Sequence, residues 1–335
     1  MYELEIGRIK EKIQNNDYKR ILLQAPEGMM DLQLQEVVNE ISGPDSMIFV
    51  VGDPSYGVCD LAMDLAKQLK CELLIHFGHS TFGFQNIINS IPKGDVDVMI
   101  IPAYYNPPNP IDFSILRVKL DELGWEEVGL AATIQHVKTL EELENFLNKS
   151  TIKTFRWNKG QILGCNVRNI QKGIDKINGI ISIHAGFFHT HGILLNLNAP
   201  LIQLNPYTEE ISYFGEIDRK NSLQKRLALL TNARKAKKWG IIGSTKLGQL
   251  NMQMINKVNA RLNFENNGTV IVVTENINPQ NIANMSWIDA WVVTACPRIA
   301  IDDKIRFLKP VVTFREFLYL FNELSWEDLL KHGFF

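Results

Sequence analysis

A chain of 335 residues is too long for one ordinary hydrophobic core, so its length implies two or three domains. With 45% apolar residues it has a globular composition, and a formal net charge of −2 offers no general attraction to nucleic acid or an anionic membrane. The opening residues read as an amphipathic helix without an apolar leader core, and no apolar run approaches the ~20 residues of a membrane span, which points to a cytoplasmic protein.

The first third alternates strand and helix. Strands are expected at 20–24 (RILLQ), 47–51 (MIFVV), 73–77 and 96–101. A helix over 30–41 has Leu32, Leu34, Val37, Val38 and Ile41 on its buried side, and a second covers about 60–69. This βαβ order predicts a parallel sheet with right-handed crossovers. The proline-rich PAYYNPPNP segment at 102–110 suits neither helix nor strand and marks a boundary. The pattern then restarts with a helix at 113–123 and a strand at 128–133. Thr139 and Glu142 have capping-box spacing ahead of a helix to 148. Strands follow at 161–163, 179–183 and 201–204, the last ending at an NPYT turn. A charged helix over 218–238 opens a third unit with strands at 239–242, 270–273, 290–294 and 311–314. The fold class is therefore α/β: three similar domains over 1–105, 106–215 and 216–335, each a small parallel sheet flanked by helices and each carrying one cysteine of interest.

Those cysteines are Cys59, Cys165 and Cys296, each just past a predicted strand, at the sheet edge where α/β proteins bind ligands. A lone cysteine is ordinarily a small buried hydrophobe, and Cys71, entering the strand at 73–77 from its amino-terminal side, fits that account. The shared placement of the other three favours ligation. Zinc sites close with tightly spaced pairs such as CxxC, which this chain lacks, as it lacks the close cysteine triplet of ferredoxin-like proteins. Three converging thiolates would leave a fourth coordination position open, an arrangement that belongs to catalysis.

Histidines form a second set: His76 and His79 in IHFGHSTF, and His184, His189 and His191 in ISIHAGFFHTH. Zinc ligation is one reading, and hydrogen bonding to a substrate is the one we favour. The WGIIGSTKLGQ segment offers backbone amides near a helix start. Gln249 and Leu250 stand where a P-loop needs Lys followed by Ser or Thr, and GxGxxG is absent, so a carboxylate is the better ligand. Arg298 suits bidentate carboxylate binding, with an ion pair to Asp302 or Asp303 as the alternative.

Taken together, GDPSYGVCD, HFGHSTF, GQILGC, the Gly-Phe-Phe-His run ending at His189, GSTKLGQ and TACPRIAIDD resemble, in order and spacing, the archaeal diphthamide-biosynthesis enzymes over essentially the whole chain. Ala185, where a further glycine is expected, and Pro54 and Asp60 in the first motif depart from that pattern. The resemblance implies a non-canonical radical S-adenosylmethionine enzyme, with Cys59, Cys165 and Cys296, one per domain, holding a 4Fe-4S cluster at the domain junction. It implies transfer of a 3-amino-3-carboxypropyl group from S-adenosylmethionine to C2 of a histidine in translation elongation factor 2, through a radical fragment and with release of methylthioadenosine. An electron donor and a homodimer are implied as well, with no membrane and no direct nucleic-acid partner. Within this scheme Gln249, Lys246 and Arg298 are expected at the polar end of the methionine moiety, and His79 or His189 in the pocket wall; no catalytic side chain is assigned. The rival readings are a non-catalytic cluster-bearing partner subunit and a small-molecule-binding α/β protein with structural cysteines.

Overall fold

The computed structural model describes residues 1–29, 32–53, 55–91, 94 and 96–335, with the side chains of Leu32, Asp303 and Ile305 outside that description. The expected helix start at Met30, the Pro54 position and an Asp303 partner for Arg298 fall outside the described residues. The fold is α/β, with small, mainly parallel sheets flanked by helices. Two compact units form: one comprises Met1–Pro110, Ile134–Thr139 and Lys246–Gly248, the other Ile111–Thr133, Leu140–Thr245 and Gln249–Phe335.

In the first unit a parallel sheet runs in the order Met47–Val50, Arg20–Gln24, Leu73–Phe77, Asp97–Ile101. The two central strands are mainly apolar, with the polar Gln24 and His76 toward their ends, because both of their faces are covered. Ile21, Leu23, Leu73, Ile75 and Phe77 pack with Ile9, Leu34, Val37 and Ile41 of helices Ile6–Asn16 and Leu32–Ile41. Leu22 and Leu74, pointing the other way as strand alternation dictates, meet Val58, Leu61, Met63 and Ala66. Tyr2–Glu3 pairs antiparallel with Tyr104–Tyr105, so the proline-rich segment does yield a two-residue strand, placed between Pro102 and Pro107. The helix expected from residue 60 starts instead at Met63; Val58–Asp60 is a 3-10 turn.

The second unit holds two sheets. One runs Ile211–Phe214, Leu201–Leu204, Gly179–Ile183, Glu127–Ala132, Lys153–Phe155, with only Ile211–Phe214 antiparallel to its neighbour. The other runs Gly268–Thr274, Lys238–Ser244, Ala290–Val293, Val311–Thr313, all parallel. The strand expected at 161–163 is reduced to isolated bridges, Ala132 with Gln161 and Leu163 with Asn166. Thr139 does not cap a helix: it is buried inside Val137–Leu147, which is entered through the 3-10 turn Ile134–His136. The helix Glu216–Ala233 is charged, but its Arg226 is 1% exposed and pairs with Glu316, 0% exposed. The Arg226 Nε donates to Glu316 Oε1 at 2.7 Å and Nη1 to the Ala300 carbonyl at 2.9 Å, so a charge inside the core is met by opposite charge and backbone. Among the described residues no helix is long and apolar enough to cross a membrane.

Candidate functional site

In the first unit the chain leaves the sheet at Val50 and reaches Cys59 on the Val58–Asp60 turn, where Val58, Leu61 and Met63 anchor the loop in the core. The Gly248 amide donates to the Cys59 carbonyl at 3.0 Å. No side chain fits at Gly248, since a Cβ there would lie 2.5 Å from Cys59 Cα. A Cβ at Gly57 would stand 3.3 Å from the Cys59 sulfur. The two glycines thus let backbone approach the Cys59 turn closely, and Cys59 itself is buried, 9% exposed. Lys246, expected to meet a substrate carboxylate, forms a nearly buried ion pair with Asp60, Nζ to Oδ1 at 2.7 Å, and lies 5.7 Å from the centre of the Tyr56 ring.

The same turn is bound from the sheet side. Gln24, 3% exposed at the end of its strand, donates from Nε2 to the Asp60 carbonyl at 2.6 Å and accepts the Ala62 amide at 3.2 Å. Its Oε1 also meets His76 Nδ1 at 2.9 Å, and His76 Nε2 lies 2.9 Å from His79 Nδ1. Burial, with His79 alongside, holds His76 far below the usual histidine range. Burial likewise pushes His79 down to about 4, with the Phe77 backbone opposing it.

In the second unit Cys165 sits in a tight turn closed by Asn166 N–H to the Leu163 carbonyl at 2.8 Å. The helix Phe187–Asn196 lies directly against it: a Cβ on Gly192 would stand 2.1 Å from the Gly164 carbonyl oxygen, and one on Gly164 would stand 2.4 Å from the Phe188 ring. Cys296 lies between strand Ala290–Val293 and the short helix Arg298–Ile301, its carbonyl accepting the Ile299 amide at 3.2 Å. Arg298 is 43% exposed, stands 5.4 Å over the Phe188 ring, and has its Nε 3.3 Å from Asp302 Oδ2, the ion pair weighed above. Phe188 therefore touches both cysteine loops of this unit. His189 packs beside Phe188 and His184, with ring centres at 5.6 and 5.2 Å, while His191 Nδ1 reaches Asp302 at 3.4 Å. His184 is fully buried, and burial pushes it down to about 4, opposed by the Gly186 and Ala185 backbone beside it. Gln249 stands in the turn before helix Met252–Phe264, whose cap is Asn251, accepting from Met254 N–H at 3.0 Å.

Sequence reasoning picked out Lys246, His79, His189, Gln249 and Arg298 but not Gln24, Asp60 or Phe188 as partners. A polar residue closing an otherwise apolar strand was the available signal for Gln24. All four cysteines are free thiols. Cys71 is 3% exposed, its thiol pushed up by burial, and it packs among apolar side chains. Cys165 and Cys296 are half-buried. Within either unit, among the described residues, no three His, Cys, Asp or Glu side chains gather as a metal-holding group; one of the three thiols of interest belongs to the first unit and two to the second.

A family model described as "Putative diphthamide synthesis protein" matches residues 25–330. The 2-(3-amino-3-carboxypropyl)histidine synthase of Pyrococcus horikoshii is 27% identical, over 98% of this chain and 94% of that protein. Subunit 1 of the synthase of Yarrowia lipolytica is 28% identical, over 97% of this chain and 74% of that protein. The crystal structure of Dph2 from Pyrococcus horikoshii with a 4Fe-4S cluster superposes with a TM-score of 0.81 at 26% identity, over 100% of this chain and 94% of that one.

Proposed function

From the premise that this chain belongs to the diphthamide synthesis family, we propose that it performs the reaction its relatives are named for, forming 2-(3-amino-3-carboxypropyl)histidine as the first step of diphthamide synthesis. The donor is S-adenosylmethionine and the acceptor is C2 of a histidine in translation elongation factor 2. Likeness to a Dph2 structure holding a 4Fe-4S cluster supports the same cofactor here, with Cys59, Cys165 and Cys296 as its ligands. The observation that carries this reading is the difference among the thiols. Cys71 is sealed in the apolar core, whereas Cys165 and Cys296 are half-buried on turns and Cys59, buried at 9% exposure, sits on the Val58–Asp60 turn, where Gly57 and Gly248 let backbone approach it closely. Thiolates are the donors such iron sites take.

When bound, the cluster supplies the electron that opens the bond between sulfur and the methionine γ-carbon. The protein's own groups do the rest. Arg298, with more than a third of its side chain open, takes the methionine carboxylate together with Lys246, which also pairs with Asp60. Gln249 completes that polar end, and His79 and His189 bound the ligand. The segments 1–105, 106–215 and 216–335 each hold one main sheet and one ligand cysteine and act as three structural repeats. The enzyme works in the cytoplasm as a homodimer with a separate electron donor.

The test is anaerobic: iron, sulfide and the visible spectrum for wild type and for Cys59→Ala, Cys165→Ala, Cys296→Ala and Cys71→Ala, together with methylthioadenosine formation by the pure protein. Loss of the cluster in the first three and its retention in Cys71→Ala are expected. A wild type that holds no cluster after reconstitution, or a Cys71→Ala protein that loses it, would defeat the assignment; a cluster without methylthioadenosine would make the chain a partner subunit.

A further inference from the structure

A line of hydrogen bonds runs from the turn carrying Cys59 to His79, and each donor and acceptor along it is determined. Gln24 is clamped between a carbonyl that only accepts, at Asp60, and an amide that only donates, at Ala62, so its carboxamide has one orientation. The Oε1 of Gln24 faces His76 Nδ1 at 2.9 Å, which therefore carries the hydrogen. His76 is fully buried and neutral, leaving its Nε2 as an acceptor. The nitrogen 2.9 Å from it, His79 Nδ1, must then be the donor. His79 is neutral too, so its Nε2 carries a lone pair, and part of its surface is accessible. One glutamine thereby sets two tautomers.

The proposed transfer calls for such a group. The electron pair of the sulfur–Cγ bond leaves on the sulfur of methylthioadenosine. The pair of the imidazole C2–H bond becomes the new C2–Cγ bond. One proton departs from C2, and the electron that opens the donor is returned as the ring regains aromaticity, so no net oxidant is consumed. We infer that His79 Nε2 is the base that removes the C2 proton of the target histidine, held in the required tautomer by His76 and Gln24. A weak base suffices, because proton loss from the adduct restores the aromatic ring. This rests on the transferase reading above and assigns the group that reading leaves open.

The experiment compares methylthioadenosine with modified histidine for wild type and His79→Ala, each with its full iron content, and records nitrogen NMR of wild-type protein labelled in histidine. Wild type gives the two products near parity. General bases contribute roughly 10²–10⁴-fold, so in His79→Ala modified histidine falls by about 100-fold or more relative to methylthioadenosine, and added imidazole restores part of the loss. The spectrum shows hydrogen on Nδ1 and none on Nε2 for both His76 and His79. The inference is overturned if the variant keeps the two products in proportion, whether both stay high or both fall, or if Nε2 of His79 carries the hydrogen. The NMR reading needs no variant that must fold. Absence of methylthioadenosine in wild type would instead show that the transferase reading itself has failed, and the inference with it.

Discussion

Adding a single methyl group at Gly248 should dislodge Cys59. The new Cβ would stand 2.5 Å from Cys59 Cα, 2.7 Å from Cys59 Cβ and 2.4 Å from Ile87 Cδ1. Carbon contacts settle at about 3.5–4.0 Å, so the surroundings must retreat by about 1 Å. The Ile87 methyl can swing aside. The Cys59 main chain cannot, short of giving up the 3.0 Å bond from the Gly248 amide to its carbonyl. Overpacking costs about 1–3 kcal/mol and a lost hydrogen bond about 0.5–1.5, so Gly248→Ala should be less stable by about 2–4 kcal/mol. The effect on iron should be sharper, because metal–ligand distances tolerate only about 0.2 Å. Iron and sulfide per chain, read beside the urea midpoint, are the measurements, with Gly52→Ala as control because a Cβ there meets nothing within 4 Å. A Gly248→Ala protein with wild-type iron content and midpoint would show that the packing argument is wrong.

Gly192→Ala should act on Cys165 in the same way, since its Cβ would meet the Gly164 carbonyl oxygen at 2.1 Å; reduced iron content at unchanged expression is the expected result. Arg226→Met strands the Glu316 carboxylate in the core and should cost about 3–5 kcal/mol in urea unfolding, whereas the double variant Arg226→Met with Glu316→Leu should recover most of that loss. His184 gives an acid limb to stability. Burial pushes it down to about 4, while in the unfolded chain it titrates near 6.5. Between those values the unfolded chain binds a proton that the folded chain refuses, so the contribution is complete above pH 6.5 and is lost as pH falls toward 4. From pH 7 to pH 5 wild type should lose about 2 kcal/mol more than His184→Gln, compared by urea midpoints.

The central strands were legible because burial on both faces leaves mostly apolar, β-branched or Leu-rich runs: 20–24, 73–77, 179–183 and 201–204 match the observed strands residue for residue. Irregular backbone was not. The helix Phe187–Asn196 is buried along its whole second half, so it has no polar face and no 3.6-residue period to read. The Thr139–Glu142 spacing has the chemistry of a cap, yet burial of Thr139 in the helix overrode it. At the site, cysteine placement past a sheet edge was visible for Cys59 and Cys296, whereas Cys165 follows only a bridge. Lys246 was expected at a substrate carboxylate; its pairing with Asp60, in a distant part of the chain, left no local pattern to read. Arg226 shows the same limit, a charge on a charged helix that tertiary packing takes into the core.

The inclusion of Lys246–Gly248 in the first unit also orders events during synthesis. The Cys59 turn emerges early, but the ammonium that neutralises Asp60 and the amide that holds the Cys59 carbonyl arrive only when most of the chain has been made. At ribosomal rates of about 5–20 residues per second, this leaves the Cys59 thiol without its clamp for on the order of tens of seconds. On the proposed ligand set, iron loading at Cys59 belongs after translation has passed Gly248, and a nascent chain stalled before that point would present the thiol on an unfinished turn.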